Sequence, residues 1–198
     1  LENKSPKLCT DRLDGVLHTC YIWLQTHSLR AIKEVYDNIE VLENEDGIFE
    51  IGFQNIEIAN KFVDMVFNYA TELQKNTDKY VMKYISEVIK IAVARNLISY
   101  EDLYTLKESE ICKIIRTNFL SWKIFENATI LVNTNELPKD NFFVSFETKK
   151  RNVIPLVKVK TKISRINEVS EYASNIYQSF ISFKDRKYAY IEEIREIN

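Results

Sequence analysis

"KLCTDRLDGVLHTCYIWL" (Lys7–Leu24) is where the fold class is first legible. Leu13, Val16, Leu17, Cys20 and Leu24 recur at helical spacing. Asp11, Asp14, Gly15 and His18 fall on the opposite face at about 100° per residue. The spacing predicts a helix from Thr10 or Asp11, either of which can cap it, to about Thr26. Asp11 and Asp14 then suit the positive end of the helix dipole, and His18 stands in solvent. A second reading stays open. A carboxylate such as Asp11 can bind a divalent metal, but one carboxylate is not a site, so its partners would lie elsewhere.

The pattern continues outward from this helix. Ser28 is positioned to cap a second helix with Leu29, Ile32, Val35 and Tyr36 on it. "NIEVLENEDGIFEIGF" (38–53) reads as two short strands around an Asp-Gly turn. Ile58, Phe62, Met65, Val66 and Tyr69 mark an amphipathic helix. A further long helix, capped by Thr77 or Asp78, carries Val81, Ile85, Val88, Ile89 and Ala92. Ser99 is a cap for the acidic turn that follows, and "KESEICKIIRTNFLSWKIFENA" (107–128) makes one or two more helices. "NFFVSFETKKRNVIPLVKVKTKI" (141–163) holds two β-branched runs and predicts a hairpin from about Phe142 to Lys160. Pro155 would stand at an edge or at the start of the second strand. Residues 167–183 read as a helix and "RKYAYIEEI" (186–194) as a closing strand. With three glycines and three prolines in 198 residues, long regular elements dominate. The expected class is mainly α with small β-hairpins, ending in an α+β tail. The expected division is a helical portion at 1–135, with its short hairpin near 39–53, and a small α+β subdomain at 136–198 packed on it.

Bulk chemistry narrows the function classes. With 27 basic and 29 acidic residues the formal net charge is −2, which gives no drive toward nonspecific nucleic acid or anionic membrane. No apolar run is long enough to span a bilayer, and no secretory apolar core opens the chain. Cys9, Cys20 and Cys112 are odd in number and lack CxxC spacing, which argues against a disulfide scaffold or zinc ribbon and for a reducing, cytoplasmic compartment. His18 and His27 are the only histidines, too few for a complete histidine-based metal centre. The chain opens at Leu1 rather than Met, which fits a fragment or a processed chain.

Two basic groupings are candidate phosphate contacts. Lys149, Lys150 and Arg151 lie between the two strand-like runs, where Arg151 could grip a phosphate bidentately; a solvated turn would look the same. Arg30, Lys33 and Tyr36 share one helix face, as they would on any amphipathic helix. The aromatic residues from Phe62 to Tyr84 keep helical spacing and read as core rather than as stacking platforms. No phosphate-cradling glycine loop, Ser-His-Asp ordering or zinc-protease motif is present.

"CTDRLDGVL" (9–17) resembles the helix-opening segment that carries the last metal-binding aspartate in the HD-domain phosphohydrolases. "ISYEDLYTLKESEI" (98–111) is similar to the helical middle section of a bacterial group within that superfamily. "FETKKRNVIPLV" (146–157) with "RINEVSEYASNIYQSF" (165–180) resembles that group's tail. The resemblance covers most of the chain, in the family's order. It implies an HD-like helical bundle portion and a metal-dependent phosphohydrolase of nucleotides or other small phosphoesters. Asp11 would be a ligand to a divalent ion (Mn, Fe, Mg, Ni or Zn), with Arg12 near the substrate phosphates and Asp14 as the motif's second aspartate. Lys150 and Arg151 would be further substrate contacts. Gly15 stands where several relatives have an aromatic residue, and the family's histidine and His-Asp pair are not in this chain. The implied partners are a small phosphorylated substrate and a preceding HD segment, or another chain that completes the site, with a homo-oligomer allowed; no membrane or specific nucleic acid is implied. By this reading the chain alone is inactive and binds metal weakly. The alternative from another class is a non-catalytic interaction or ligand-binding domain, either a degenerate HD relative or an unrelated helical module.

Overall fold

A computed structural model describes residues 4–198. The chain opens with α1 (Thr10–His18), one π-helical turn (Thr19–Trp23) and α2 (Leu29–Tyr36). Next come β1 (Ile39–Glu43), β2 (Phe49–Phe53), α3 (Ile56–Glu72), α4 (Asn76–Ala94), α5 (Asp102–Thr105), α6 (Glu108–Asn118) and α7 (Leu120–Asn127). The remainder is β3 (Val132–Thr134), β4 (Phe143–Val144), β5 (Leu156–Val159), β6 (Lys162–Arg165), α8 (Ile166–Val169), α9 (Glu171–Ser182) and β7 (Tyr188–Tyr190). Half of the chain is helical and 13% is strand, so the fold is α+β and mainly helical. Among the described residues, no helix is long and apolar enough to cross a membrane.

Local chemistry accounts for several boundaries. The Ser28 hydroxyl accepts the Ala31 N–H at 3.3 Å and starts α2. Asn55 Oδ1 accepts the Ile58 N–H at 2.9 Å and starts α3, and the Ser170 hydroxyl does the same for Ala173 at the head of α9. Gly47 takes φ +72° in the β1–β2 turn, a conformation that favours glycine. The Ser99 hydroxyl donates to the Asp102 carboxylate at 2.8 Å and accepts the Asp102 backbone N–H at 3.1 Å at the head of α5.

The chain divides into two units, each drawn from two stretches of sequence. The first joins the chain up to Leu73 with Lys149–Phe183. Its sheet has the order β1-β2-β5-β6. β1 and β2 form the antiparallel hairpin, β2 and β5 run parallel through Gly52↔Leu156 and Phe53↔Val157, and β5 turns back into β6. Leu13, Val16 and Leu17 of α1 join Phe53, Phe62, Met65, Val157 and Phe180 in its core. The second unit joins Gln74–Thr148 with Lys184–Asn198. Its three-stranded sheet has β7 between β3 and β4. Its core holds Tyr80, Tyr84, Val88, Ile115, Trp122 and Ala189, with Tyr84 and Phe125 stacked at 4.3 Å.

Several expectations need correction. Neither Thr10 nor Asp11 caps α1: the N-cap is Cys9, with no side-chain capping bond. Regular α-geometry stops at His18 rather than near Thr26, because Leu24 N–H reaches back five residues to the Thr19 carbonyl at 2.9 Å. The wider turn keeps Cys20 buried while Tyr21, Ile22 and Trp23 are exposed. α4 begins at Asn76 with Lys75 as its N-cap, two residues before Thr77 and three before Asp78, the expected caps. There is no hairpin from Phe142 to Lys160. β4 pairs with β7 in the second unit, whereas β5 pairs with β2 and β6 in the first. The turn that does close a hairpin is Lys160-Thr161, with Lys160 at φ +56°. Pro155 stands just ahead of β5, where its missing N–H costs no ladder bond. The units therefore do not follow a division at 135/136.

Candidate functional site

Asp11 lies in the first turn of α1 and is exposed. Its carboxylate does not cap the helix, whose N-cap is Cys9. Asp14 is exposed one turn on, and His18 is exposed at the end of α1. Arg12 is half-buried and its Nη1 donates to the Lys7 carbonyl. The N-terminal turn of α1 thus presents two carboxylates and one guanidinium that is tied back to the preceding segment.

That segment is held firmly to the first unit. The Lys7 ammonium pairs with Asp46 in the β1–β2 turn and holds the Asp46 carboxyl below its ordinary range. The Leu8 N–H donates to Glu50 at 2.9 Å, and the Ile154 N–H donates to the Pro6 carbonyl at 2.9 Å. Glu50, on β2, has 0% exposure. It also accepts from Asn44 at 3.1 Å and from Arg165 of β6 at 2.6 and 2.8 Å. Burial opposes the Arg165 charge, but hydrogen bonds and charges from Glu50 and Glu45 outweigh it and raise the guanidinium pKa. The same hydrogen bonding from Arg165 is the main cause that lowers the Glu45 carboxyl.

The basic candidates are placed differently. Lys150 extends its ammonium to three carbonyls at the end of α9. It donates to Phe180 at 3.1 Å, to Phe183 at 2.7 Å and to Ile181. A cation there satisfies the orphan carbonyls and the negative end of the helix dipole. Lys149 and Arg151, on either side, are exposed. Lys33 pairs with Asp37 at 2.6 Å one turn along α2, and Arg30 and Tyr36 are exposed. Among the described residues, no three His, Cys, Asp or Glu side chains gather into a metal-holding group. Asp11 suits a divalent ion as an oxygen donor, but it offers one leg of a site and not a cage.

Sequence reasoning missed Glu50 and Arg165. Glu50 is the one charged residue of "FEIGF", and Arg165 is one of two, with Lys162, in "TKISR". That position alone marks a residue on the strand's second face without saying what covers it. Comparison of the chain with protein-family models, curated proteins and solved structures finds no match.

Proposed function

We propose that this chain is the later portion of an HD-type, metal-dependent phosphohydrolase acting on nucleotides or other small phosphoesters. Asp11 supplies one metal ligand and Arg12 lies beside the substrate phosphates. The remaining ligands come from preceding residues or from another chain. The observation that carries this reading is the head of α1: Asp11 is exposed, is not used as a cap, and belongs to a helix whose entry is held by buried charge. Of the basic candidates, exposed Arg151 suits phosphate better than Lys150, which is engaged on the carbonyls of α9. The three free cysteines suit a reducing, cytoplasmic setting.

The test is a calorimetric titration of the chain with manganese. Weak binding is expected, reduced roughly tenfold further by Asp11→Asn, since one carboxylate is the only donor contributed. Tight stoichiometric binding overturns the proposal. The sequence encoded upstream of Leu1 is the companion test, with a histidine followed by a His-Asp pair expected there.

A second reading, a non-catalytic interaction domain, is favoured by a different observation. Tyr21, Ile22, Trp23 and Leu29 follow α1 closely and are all exposed. Apolar side chains grouped in this way suit contact with a partner. Activity restored by a histidine-bearing segment would decide against it.

A further inference from the structure

α1 lacks a side-chain cap; Leu13, Val16 and Leu17 pack it into the core, and the segment that leads into it is held by separate bonds. The bonds that reach Pro6 and Leu8 converge on one guanidinium. Leu8 donates its N–H to Glu50 Oε1, and Pro6 accepts from the Ile154 N–H. Arg165 Nη1 joins these two anchors, donating to Glu50 Oε1 at 2.6 Å and to the Ile154 carbonyl at 2.9 Å. Its Nη2 extends the hold to Glu50 Oε2 at 2.8 Å and to both Glu45 oxygens at 2.9 Å. The Leu8 side chain is itself fully buried. From there the connection to α1 is short, since Arg12 bonds the Lys7 carbonyl.

A buried ion pair is a poor way to gain stability, because apolar residues of similar volume commonly do as well. An apolar pair could not accept the Leu8 N–H or hold the Ile154 carbonyl. The directional bonds are therefore the distinctive contribution of Glu50 and Arg165.

We propose that Glu50 and Arg165 are positioning residues for the head of α1. They fix the path of Pro6–Cys9, and through it the placement of Asp11 and Arg12. The mechanical half of this inference stands by itself; its functional half, that the pair sets a metal ligand, rests on the phosphohydrolase reading above.

Amide hydrogen exchange followed by NMR on the whole chain, with and without substoichiometric manganese, separates the two halves. Glu50→Gln keeps an acceptor and should change exchange at the Leu8 and Leu13 amides, bonded to Glu50 and to the Cys9 carbonyl, by less than about threefold. Glu50→Leu removes the acceptor and should speed it roughly tenfold or more, while the amides of the β1–β2 ladder keep their protection. Should Glu50→Leu not fold, Arg165→Lys serves instead. A single ammonium cannot make all the bonds of the guanidinium, so exchange over the same residues should rise severalfold. Unchanged exchange at Leu8 and Leu13 in a folded Glu50→Leu or Arg165→Lys protein overturns the mechanical half. Manganese should broaden the amides around Asp11 in the unaltered chain and broaden them less in Glu50→Leu. Absence of broadening in the unaltered chain overturns the metal reading and leaves the exchange result to judge the anchor.

Discussion

Glu45 shows how unevenly charge is used around Arg165. Its side chain is more than half exposed, whereas that of Glu50 has no exposure, yet both carboxylates bond the same guanidinium. Because Arg165 lowers the Glu45 pKa on folding, the stability that Glu45 contributes is present above the ordinary carboxyl value of 4.5. It is lost as pH falls through the lower folded value. Thermal unfolding of the native chain and of Glu45→Gln should therefore differ at neutral pH and converge in acid. Solvent screening limits the difference to under about 1 kcal/mol. A gap that persists unchanged into strong acid would contradict this assignment. The residue scale is also where the sequence says least. Asp11 was legible as a candidate because a helix-opening carboxylate stands out from an apolar pattern. Glu50 was not, because one glutamate between Phe49 and Ile51 reads as the solvent side of a strand.

At the scale of elements, Gly52 leaves no room for a side chain between β2 and β5. A Cβ built there would lie 2.7 Å from the Leu156 carbonyl oxygen and 2.6 Å from Leu42 Cδ1. The backbone contact cannot be relieved by a rotamer change, so Gly52→Ala should part β2 from β5. The expected cost is about 1–3 kcal/mol by chemical denaturation, with the β1–β2 hairpin register retained. Near-native stability would mean that the two strands separate without consequence. Most elements were legible beforehand. The periodicity of α3, the Ser28 cap and the Asp-Gly turn each follow from local chemistry, whereas the break at Ser170, which caps α9 inside the stretch read as one helix, was not legible. Strand partners were not, because a run such as "PLVKV" (155–159) offers an edge without naming the edge it meets. The β4 and β5 runs lie close in sequence, which suggested a hairpin, yet they belong to different sheets.

At the scale of the whole molecule, each unit is discontinuous. The segment from Gln74 to Thr148 interrupts the first unit, and the segment from Lys149 to Phe183 interrupts the second. Periodicity reports on neighbours along the chain, so no local pattern could have revealed this interleaving. Its consequence concerns synthesis on the ribosome. The edge of β2 that β5 will occupy and the gap between β3 and β4 that β7 will fill both wait for residues beyond Thr148. A nascent chain stalled at Thr148 should be cleaved readily by protease in both units. Resistance should arrive in the first unit once α9 has emerged, and in the second only with Tyr188–Tyr190. Early resistance of the β2–α3 stretch in the stalled chain would show that the hairpin and helix hold without β5. Translation thus delivers the central strand of one sheet last and the bridging strand of the other late, and the growing polypeptide carries two unfinished sheets at once.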